Sequence, residues 1–126
     1  MDPVAQALQQ IRALVGDKGW IDDPVAMEPH LVEWRGRWRG SSPAIVSPAS
    51  TQEVSEVVKL CASAGIPMVP QAGNTSLCGG SVPDEDGRSL VISVDRLTAV
   101  RELDPGNDTM TVEAGLLLAD AQRAAR

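Results

Sequence analysis

Two short apolar segments, one helix length apart, constrain the fold of this chain most. Residues 44–46 lie between two prolines, and residues 67–70 follow a glycine at Gly65. Between these segments, Ser50 stands three residues before Glu53, which is the capping-box pattern that begins an α-helix. A strand, a helix and a strand joined by short connections predict a βαβ unit with parallel strands.

The helix of this unit has a regular apolar stripe. Val54, Val57, Val58 and Cys61 recur at helical spacing, and Gly65 follows as a typical helix end. We expect these four side chains to be buried. We also expect the start of the helix to lie remote from the loop that follows the second strand.

The residues before this unit predict two further helices. Asp-Pro pairs at residues 2–3 and 23–24 mark two helix starts, and the apolar spacing of the first helix runs to Gly16. Pro29 predicts a break within the second helix. Residues 34–40, WRGRWRG, have no periodicity and predict a loop, either with arginines stacked on the two indoles or simply solvated.

The residues after the unit complete a mixed architecture. Residues 90–94 predict a third strand, and the turn formers between residues 100–103 and 110–114 predict a β-hairpin. Helix formers then run from residue 116 without a stop signal. We therefore expect the chain to be part of a longer protein, with a natural end at a frayed helix as the alternative.

The predicted fold class is α/β (α+β), with a small, mostly parallel sheet, flanking helices and a hairpin. We divide the chain into an N-terminal helical segment, residues 1–42, and an incomplete α/β domain, residues 43–126. A chain of 126 residues supports one globular domain of this size.

Composition excludes several classes of function. The net charge is −6, and three tryptophans are the only aromatic residues, so a nucleic-acid surface is poorly supplied. No apolar run approaches the ~20 residues of a membrane span, and the first residues lack the pattern of a signal peptide. We expect a cytoplasmic protein without a transmembrane segment or a nucleic-acid partner.

The thiols and the single histidine carry no catalytic or metal site. Cys61 and Cys78 are too far apart in sequence for a metal-binding pair, and we expect two buried free thiols rather than a disulfide. His30 is predicted to lie at a helix end or on the surface, since no partner positions it as a general base. We predict no catalytic residue and no metal ligand.

The segment PQAGNTSLCGGSVP, residues 70–83, is the candidate binding site, and we call it the glycine loop. Its glycines allow close backbone approach, and its amides and hydroxyls are the donors that a pyrophosphate requires. It matches neither the GxGxxG fingerprint nor the P-loop, which disfavours those nucleotide folds. A flexible surface loop is the alternative.

The stretch from residue 43 to the end of the glycine loop resembles the FAD-linked oxidases of the vanillyl-alcohol-oxidase (PCMH) type. It is especially similar to the D-2-hydroxyglutarate dehydrogenase branch, whose loop is close to PQGGNTGxxGGSVP. The WRGRWRGSS segment and residues 111–115 extend the similarity from Glu33 to the end of the chain. One departure is Ala72, where the family usually has glycine.

This resemblance implies that the chain is the first part of an FAD-binding domain. The residues it assigns to the cofactor are Pro70, Gln71, Ala72, Gly73, Asn74, Thr75, Ser76, Leu77, Gly80, Ser81 and Gly115. Residues 70–76 would line the pyrophosphate, Leu77, Gly80 and Ser81 would complete the turn, and Gly115 would lie near the flavin. Some relatives attach flavin covalently through a histidine where this chain has Asn74, so we expect noncovalent FAD.

The resemblance also implies a reaction. The complete enzyme would oxidise a D-2-hydroxy acid, similar to 2-hydroxyglutarate, and pass electrons to an acceptor, while this chain alone would be inactive. The alternatives are a D-lactate or glycolate oxidase of the same flavin fold, and a cofactor-free interaction module derived from it. The oligomeric state, with a homodimer among the options, is left open.

Overall fold

The computed structural model describes residues 1–126 as four helices and six strands. In chain order they are α1 (Pro3–Gly19), β1 (Trp20–Ile21), α2 (Pro24–Leu31), β2 (Ile45–Val46), α3 (Thr51–Ala64), β3 (Met68–Gln71), β4 (Leu90–Ser93), β5 (Val100–Asp104), β6 (Thr109–Val112) and α4 (Leu118–Ala124). None of the helices has the length and apolar character needed to cross a membrane.

The main sheet has the strand order β1-β2-β4-β3, and β5 and β6 form a separate antiparallel hairpin. Strand β4 is parallel to both β2 and β3, and β1 is antiparallel to β2 at one edge. The predicted α/β class and the hairpin are therefore confirmed. The two strands of the predicted βαβ unit are not neighbours, because β4 lies between them.

The core fills both faces of this sheet. On one face, Ile11 of α1 and Val57 of α3 pack with Val46 and Leu90. On the other face, Met27 of α2 packs with two more strand residues, in an apolar cluster of its own. Adjacent strand residues face opposite sides, so the strands are apolar on both faces and are covered by helices on both.

The predicted helix signals of α3 are present in the structure. The Ser50 hydroxyl accepts a hydrogen bond from the Glu53 amide at 3.1 Å, and the Glu53 carboxylate accepts one from the Ala49 amide at 3.3 Å. Gly65 ends the helix with a left-handed φ of 71°. The predicted stripe is wrong in part: Val57 and Cys61 are buried, Val54 is only half-buried and Val58 is exposed. The face that packs against the core continues at residues 60 and 64, which are half-buried, and not at Val58.

Helix α2 corrects a second expectation, because it continues through Pro29 to Leu31. A proline at this position removes only the hydrogen bond to the carbonyl of Val25, near the exposed start of the helix. The last carbonyls of the helix accept side-chain hydrogen bonds from Gln71 and Asn74, so residues outside the helix stabilise its final turn.

The start of α3 is not on the side of the sheet we expected. Helix α3 follows the carboxyl end of β2, and the glycine loop follows the carboxyl end of β3. Both strands are parallel to β4, so these ends lie at the same edge of the sheet. The helix start and the glycine loop therefore share one edge, separated by the end of β4.

Candidate functional site

The glycine loop presents a run of backbone amides without partners in the chain. The N–H groups of residues 72–77 make no intramolecular hydrogen bond. A Cβ at Gly80 would meet nothing within 4 Å, so a ligand can approach the backbone there. Free amides and an open glycine at the carboxyl edge of a parallel sheet are the features that a bound pyrophosphate requires.

Two amide side chains tie the loop to the end of α2. The Gln71 side chain donates to the His30 carbonyl at 2.8 Å and to the Ser81 carbonyl at 2.8 Å. The Asn74 side chain donates to the Pro29 and Val32 carbonyls at 3.1 and 2.8 Å. These bonds satisfy carbonyls that a helix end leaves free. Gln71 and Asn74 therefore contribute their side chains to the structure of the loop.

Asn74 also has unusual backbone geometry, with a φ of 53° in the left-handed region. Asparagine tolerates this conformation better than most residues. Its side-chain oxygen accepts a hydrogen bond from the Ser81 hydroxyl at 2.7 Å, so the amide group is engaged at both ends. This links the two ends of the glycine loop.

His30 lies in the last turn of α2, as the sequence predicted, and its ring supports the loop. Its Nδ1 is 2.6 Å from the Gln71 side-chain oxygen. Since that oxygen is an acceptor only, Nδ1 carries the proton in this contact. His30 therefore positions Gln71.

Residues 33–39, which we call the tryptophan loop, form the second wall of the site. The Trp34 indole N–H donates to the Thr75 carbonyl at 3.2 Å, and the Arg35 guanidinium donates to the Leu77 carbonyl. The Arg35 guanidinium also stacks on Trp34, 5.7 Å from the ring centroid, as one of the two sequence interpretations predicted. The ring of Trp38 lies against Gly79 instead of an arginine.

Glu33 is a buried residue beside the site that the sequence analysis did not single out. It is only 1% exposed, and its carboxylate accepts from the Arg35 amide at 3.0 Å, the Arg35 Nε at 3.3 Å and the Arg37 amide. Desolvation raises the pKa of Glu33, but these hydrogen bonds outweigh it, so the pKa lies below its ordinary value. The available signal was an acidic residue directly before an arginine-rich loop.

Gly115 lies at the same sheet edge. Its amide donates to the Leu97 carbonyl at 2.8 Å, and a Cβ there would be 1.9 Å from the Val94 carbonyl oxygen. The chain needs glycine at this position because two backbone segments approach closely. Its predicted contact with the flavin stays a prediction.

The two thiols differ, which corrects the expectation that both are buried. Cys61 is buried and free, and burial raises its pKa to about 11. Cys78 is exposed and free, because it lies in the glycine loop outside the core.

The fold and this site define the FAD-binding class of mixed α/β domains, and comparisons with known proteins place the chain in a family. Residues 42–126 match the FAD binding domain family. The chain therefore belongs to the FAD binding domain family, and its cofactor is FAD.

Relatives with curated names are similar over most of this chain. It is 33% identical over 107 residues to the mitochondrial D-2-hydroxyglutarate dehydrogenase of Arabidopsis thaliana, covering 85% of this chain and 19% of that protein. It is 33% identical over 125 residues to the D-2-hydroxyglutarate dehydrogenase of Xanthomonas citri pv. viticola, covering 99% and 25%. A Bacillus subtilis glycolate oxidase subunit is 28% identical over 116 residues, covering 92% and 24%. The chain thus spans a fifth to a quarter of these relatives.

Solved structures agree on the fold. An alkyldihydroxyacetonephosphate synthase superposes with a TM-score of 0.84 at 19% identity, covering 95% of this chain and 24% of that one. A p-cresol methylhydroxylase superposes with a TM-score of 0.83 at 21% identity, covering 97% and 24%. The fold is that of the PCMH-type FAD-binding domain.

Proposed function

We propose that this chain is the FAD-binding portion of a flavin-dependent oxidoreductase that converts a D-2-hydroxy acid, similar to 2-hydroxyglutarate, into the 2-oxo acid. Bound FAD would supply the acceptor for the hydride from C2 and then deliver two electrons to a separate acceptor. The hydroxyl proton would leave to a base outside this chain, since His30 is engaged with Gln71.

One observation carries the proposal: the unpartnered amides of residues 72–77 beside the open position at Gly80. We assign the FAD pyrophosphate to residues 70–77, 80 and 81, and the flavin to the neighbourhood of Gly115. Most of these residues would act through their backbones, because Gln71 and Asn74 use their side chains within the protein. The amide at residue 74 offers no nucleophile, so we propose that FAD is bound noncovalently.

We keep residues 1–42 as an N-terminal helical segment and residues 43–126 as the first half of the FAD-binding domain. In this arrangement the helical segment supplies the tryptophan loop and the end of α2, which support the glycine loop. Cytoplasmic location stays a prediction, since the Arabidopsis relative is named as mitochondrial. A homodimer also remains open.

The second candidate is a D-lactate or glycolate oxidase of the same flavin fold. The similarity to the glycolate oxidase subunit of Bacillus subtilis, 28% over 116 residues, favours it. The hydroxyglutarate hypothesis is supported by a higher sequence identity, 33% over 125 residues to the Xanthomonas relative. A cofactor-free interaction module is disfavoured because nothing in the chain fills the free amides of the glycine loop.

The test is a substrate comparison with the complete gene product. The purified protein is mixed anaerobically with D-2-hydroxyglutarate, D-lactate or glycolate, and bleaching of the flavin absorption is followed. We expect D-2-hydroxyglutarate to bleach the flavin fastest and L-2-hydroxyglutarate, the control, to leave it oxidised. Fastest bleaching by glycolate or D-lactate would favour the second candidate, and a purified protein without flavin would favour the interaction module.

A further inference from the structure

We propose that Glu33 is a positioning residue for cofactor binding: its buried carboxylate holds the tryptophan loop, and that loop fixes the peptide groups of the glycine loop. This inference rests on the proposed assignment of the pyrophosphate to the glycine loop. It extends that assignment to residues outside the loop itself.

The first step is the environment of Glu33. The residue is 1% exposed, and both carboxylate oxygens accept hydrogen bonds from residues within four positions of it. Its backbone closes the same loop, since the Glu33 amide donates to the Trp38 carbonyl at 3.1 Å and its carbonyl accepts from the Gly36 amide at 2.9 Å. A buried carboxylate with several donors is a rigid centre, because losing it would leave those donors without a partner.

The second step is what the loop contacts. Trp34 and Arg35 donate to the carbonyls of Thr75 and Leu77, and the Trp38 ring lies against Gly79. A Cβ at Gly79 would lie 2.8 Å from that ring, and the residue has a φ of +75°. All three contacts therefore act on the backbone of the glycine loop.

The third step is peptide geometry. In a trans peptide the carbonyl and the following N–H point in opposite directions. Drawing the Thr75 and Leu77 carbonyls toward the tryptophan loop therefore turns the N–H groups of Ser76 and Cys78 away from it. The Cys78 N–H already donates to the Ser76 hydroxyl at 3.3 Å, so the amide that the tryptophan loop orients for a ligand is that of Ser76. Orienting this amide before a ligand arrives reduces the ordering cost of binding.

The test removes one donor while keeping an aromatic ring at the same position. Trp34→Phe deletes the indole N–H, and because Trp34 is 64% exposed we expect the variant to fold. Trp20→Phe is the matched control, because Trp20 also donates its indole N–H, to Asp22, and also has an arginine, Arg12, over its ring. Glu33→Gln is the direct variant. It replaces one accepting carboxylate oxygen by an NH2 group, which would face an N–H donor of Arg35 or Arg37.

Two measurements are made. In the ligand-free chain, NMR order parameters of the amides at residues 75–79 should be near the rigid value of about 0.85 in wild type and below about 0.6 in Glu33→Gln and Trp34→Phe. In the complete gene product stripped of FAD, the Kd for FAD should rise about tenfold in both variants. Trp20→Phe should match wild type in both.

The outcomes distinguish a failure of this proposal from a failure of the pyrophosphate assignment on which it rests. Unchanged order parameters in Trp34→Phe would overturn the proposal, whether or not Glu33→Gln folds. A loosened loop with unchanged FAD affinity would also overturn the proposal, without removing the pyrophosphate from the glycine loop. The substrate comparison above does not depend on either result.

Discussion

The polar residues of the glycine loop act mainly on the protein. Gln71 and Asn74 are long-range donors to the end of α2, and Ser81 donates to Asn74. What remains for a ligand is the backbone between them. Substitutions that add bulk to this backbone should therefore reduce cofactor binding more than substitutions that delete a hydroxyl.

Gly80→Val and Ser76→Ala test this in the complete gene product. A Cβ at Gly80 would meet no protein atom within 4 Å, so the valine variant should fold and yet lose its flavin by filling the space of the ligand. Ser76→Ala should lower FAD affinity by about 1 kcal/mol, the net value of one hydrogen bond. Flavin absorption per protein after purification gives the comparison, and equal occupancy in both variants would contradict the assignment.

The two thiols should react differently. Cys78 is exposed, whereas Cys61 is buried and its pKa is raised to about 11. Since the thiolate is the reactive form, alkylation of the native chain at pH 8 should modify only Cys78, and Cys61 should react after unfolding. Mass spectrometry of peptides checks the sites. Because the pKa of Cys61 is about 11 in the folded chain and 9.0 for an ordinary thiol, the folded state should lose stability progressively as the pH rises from about 9 to about 11. Equal labelling of both thiols in the folded chain would contradict the burial of Cys61.

At the scale of elements, the sequence predicted which helices and strands form better than it predicted which strands lie next to each other. The capped helix α3, the hairpin and the parallel strands follow from local patterns that the structure contains. The insertion of β4 between β2 and β3 could not be predicted, because strand order depends on contacts across the whole sheet. For the same reason the helix start was expected at the wrong edge.

Contacts between residues far apart in sequence also explain the wrong prediction for α2 and the failure to predict Glu33. Pro29 predicted a break, but the helix end is held by Gln71 and Asn74, more than forty residues further along the chain. The composition and the resemblance of the glycine loop predicted the candidate site. The only local signal for Glu33 was its place directly before an arginine-rich loop, and its burial could not be predicted because that burial depends on the tryptophan loop folding over its own first residue.

The cap of α3 can be tested directly. Ser50→Ala removes the acceptor for the Glu53 amide and should lower the free energy of unfolding by about 0.5 to 2 kcal/mol. Gln52→Ala is the control, since Gln52 is exposed and contacts only Glu56 on the same helix. Urea unfolding of the two variants gives the difference. A control as destabilised as Ser50→Ala would mean that the cap is not the cause.

At the scale of the whole molecule, residues 100–126 are thinly packed and none of them is buried. Helix α4 has no buried residue, and the leucines at 117 and 118 are 67% and 74% exposed. The β5–β6 hairpin is held to α3 by the Arg101 guanidinium, which donates to the Thr51 hydroxyl at 2.8 Å. The well-packed part of the chain is the main sheet with α1, α2 and α3, and this part carries the glycine loop.

The last prediction concerns the 126-residue chain by itself: it should bind FAD weakly or not at all, and it should not oxidise 2-hydroxy acids. The glycine loop supplies amides for the pyrophosphate, but half of its residues are exposed and it forms no enclosed apolar walls for the flavin and adenine rings. Hydride transfer also needs a substrate clamp and a positioned base, which this chain does not assemble. Titration with FAD, followed by flavin fluorescence, and addition of D-2-hydroxyglutarate to the mixture check both parts. Sub-micromolar binding would contradict the first part, and bleaching that depends on substrate would contradict the second.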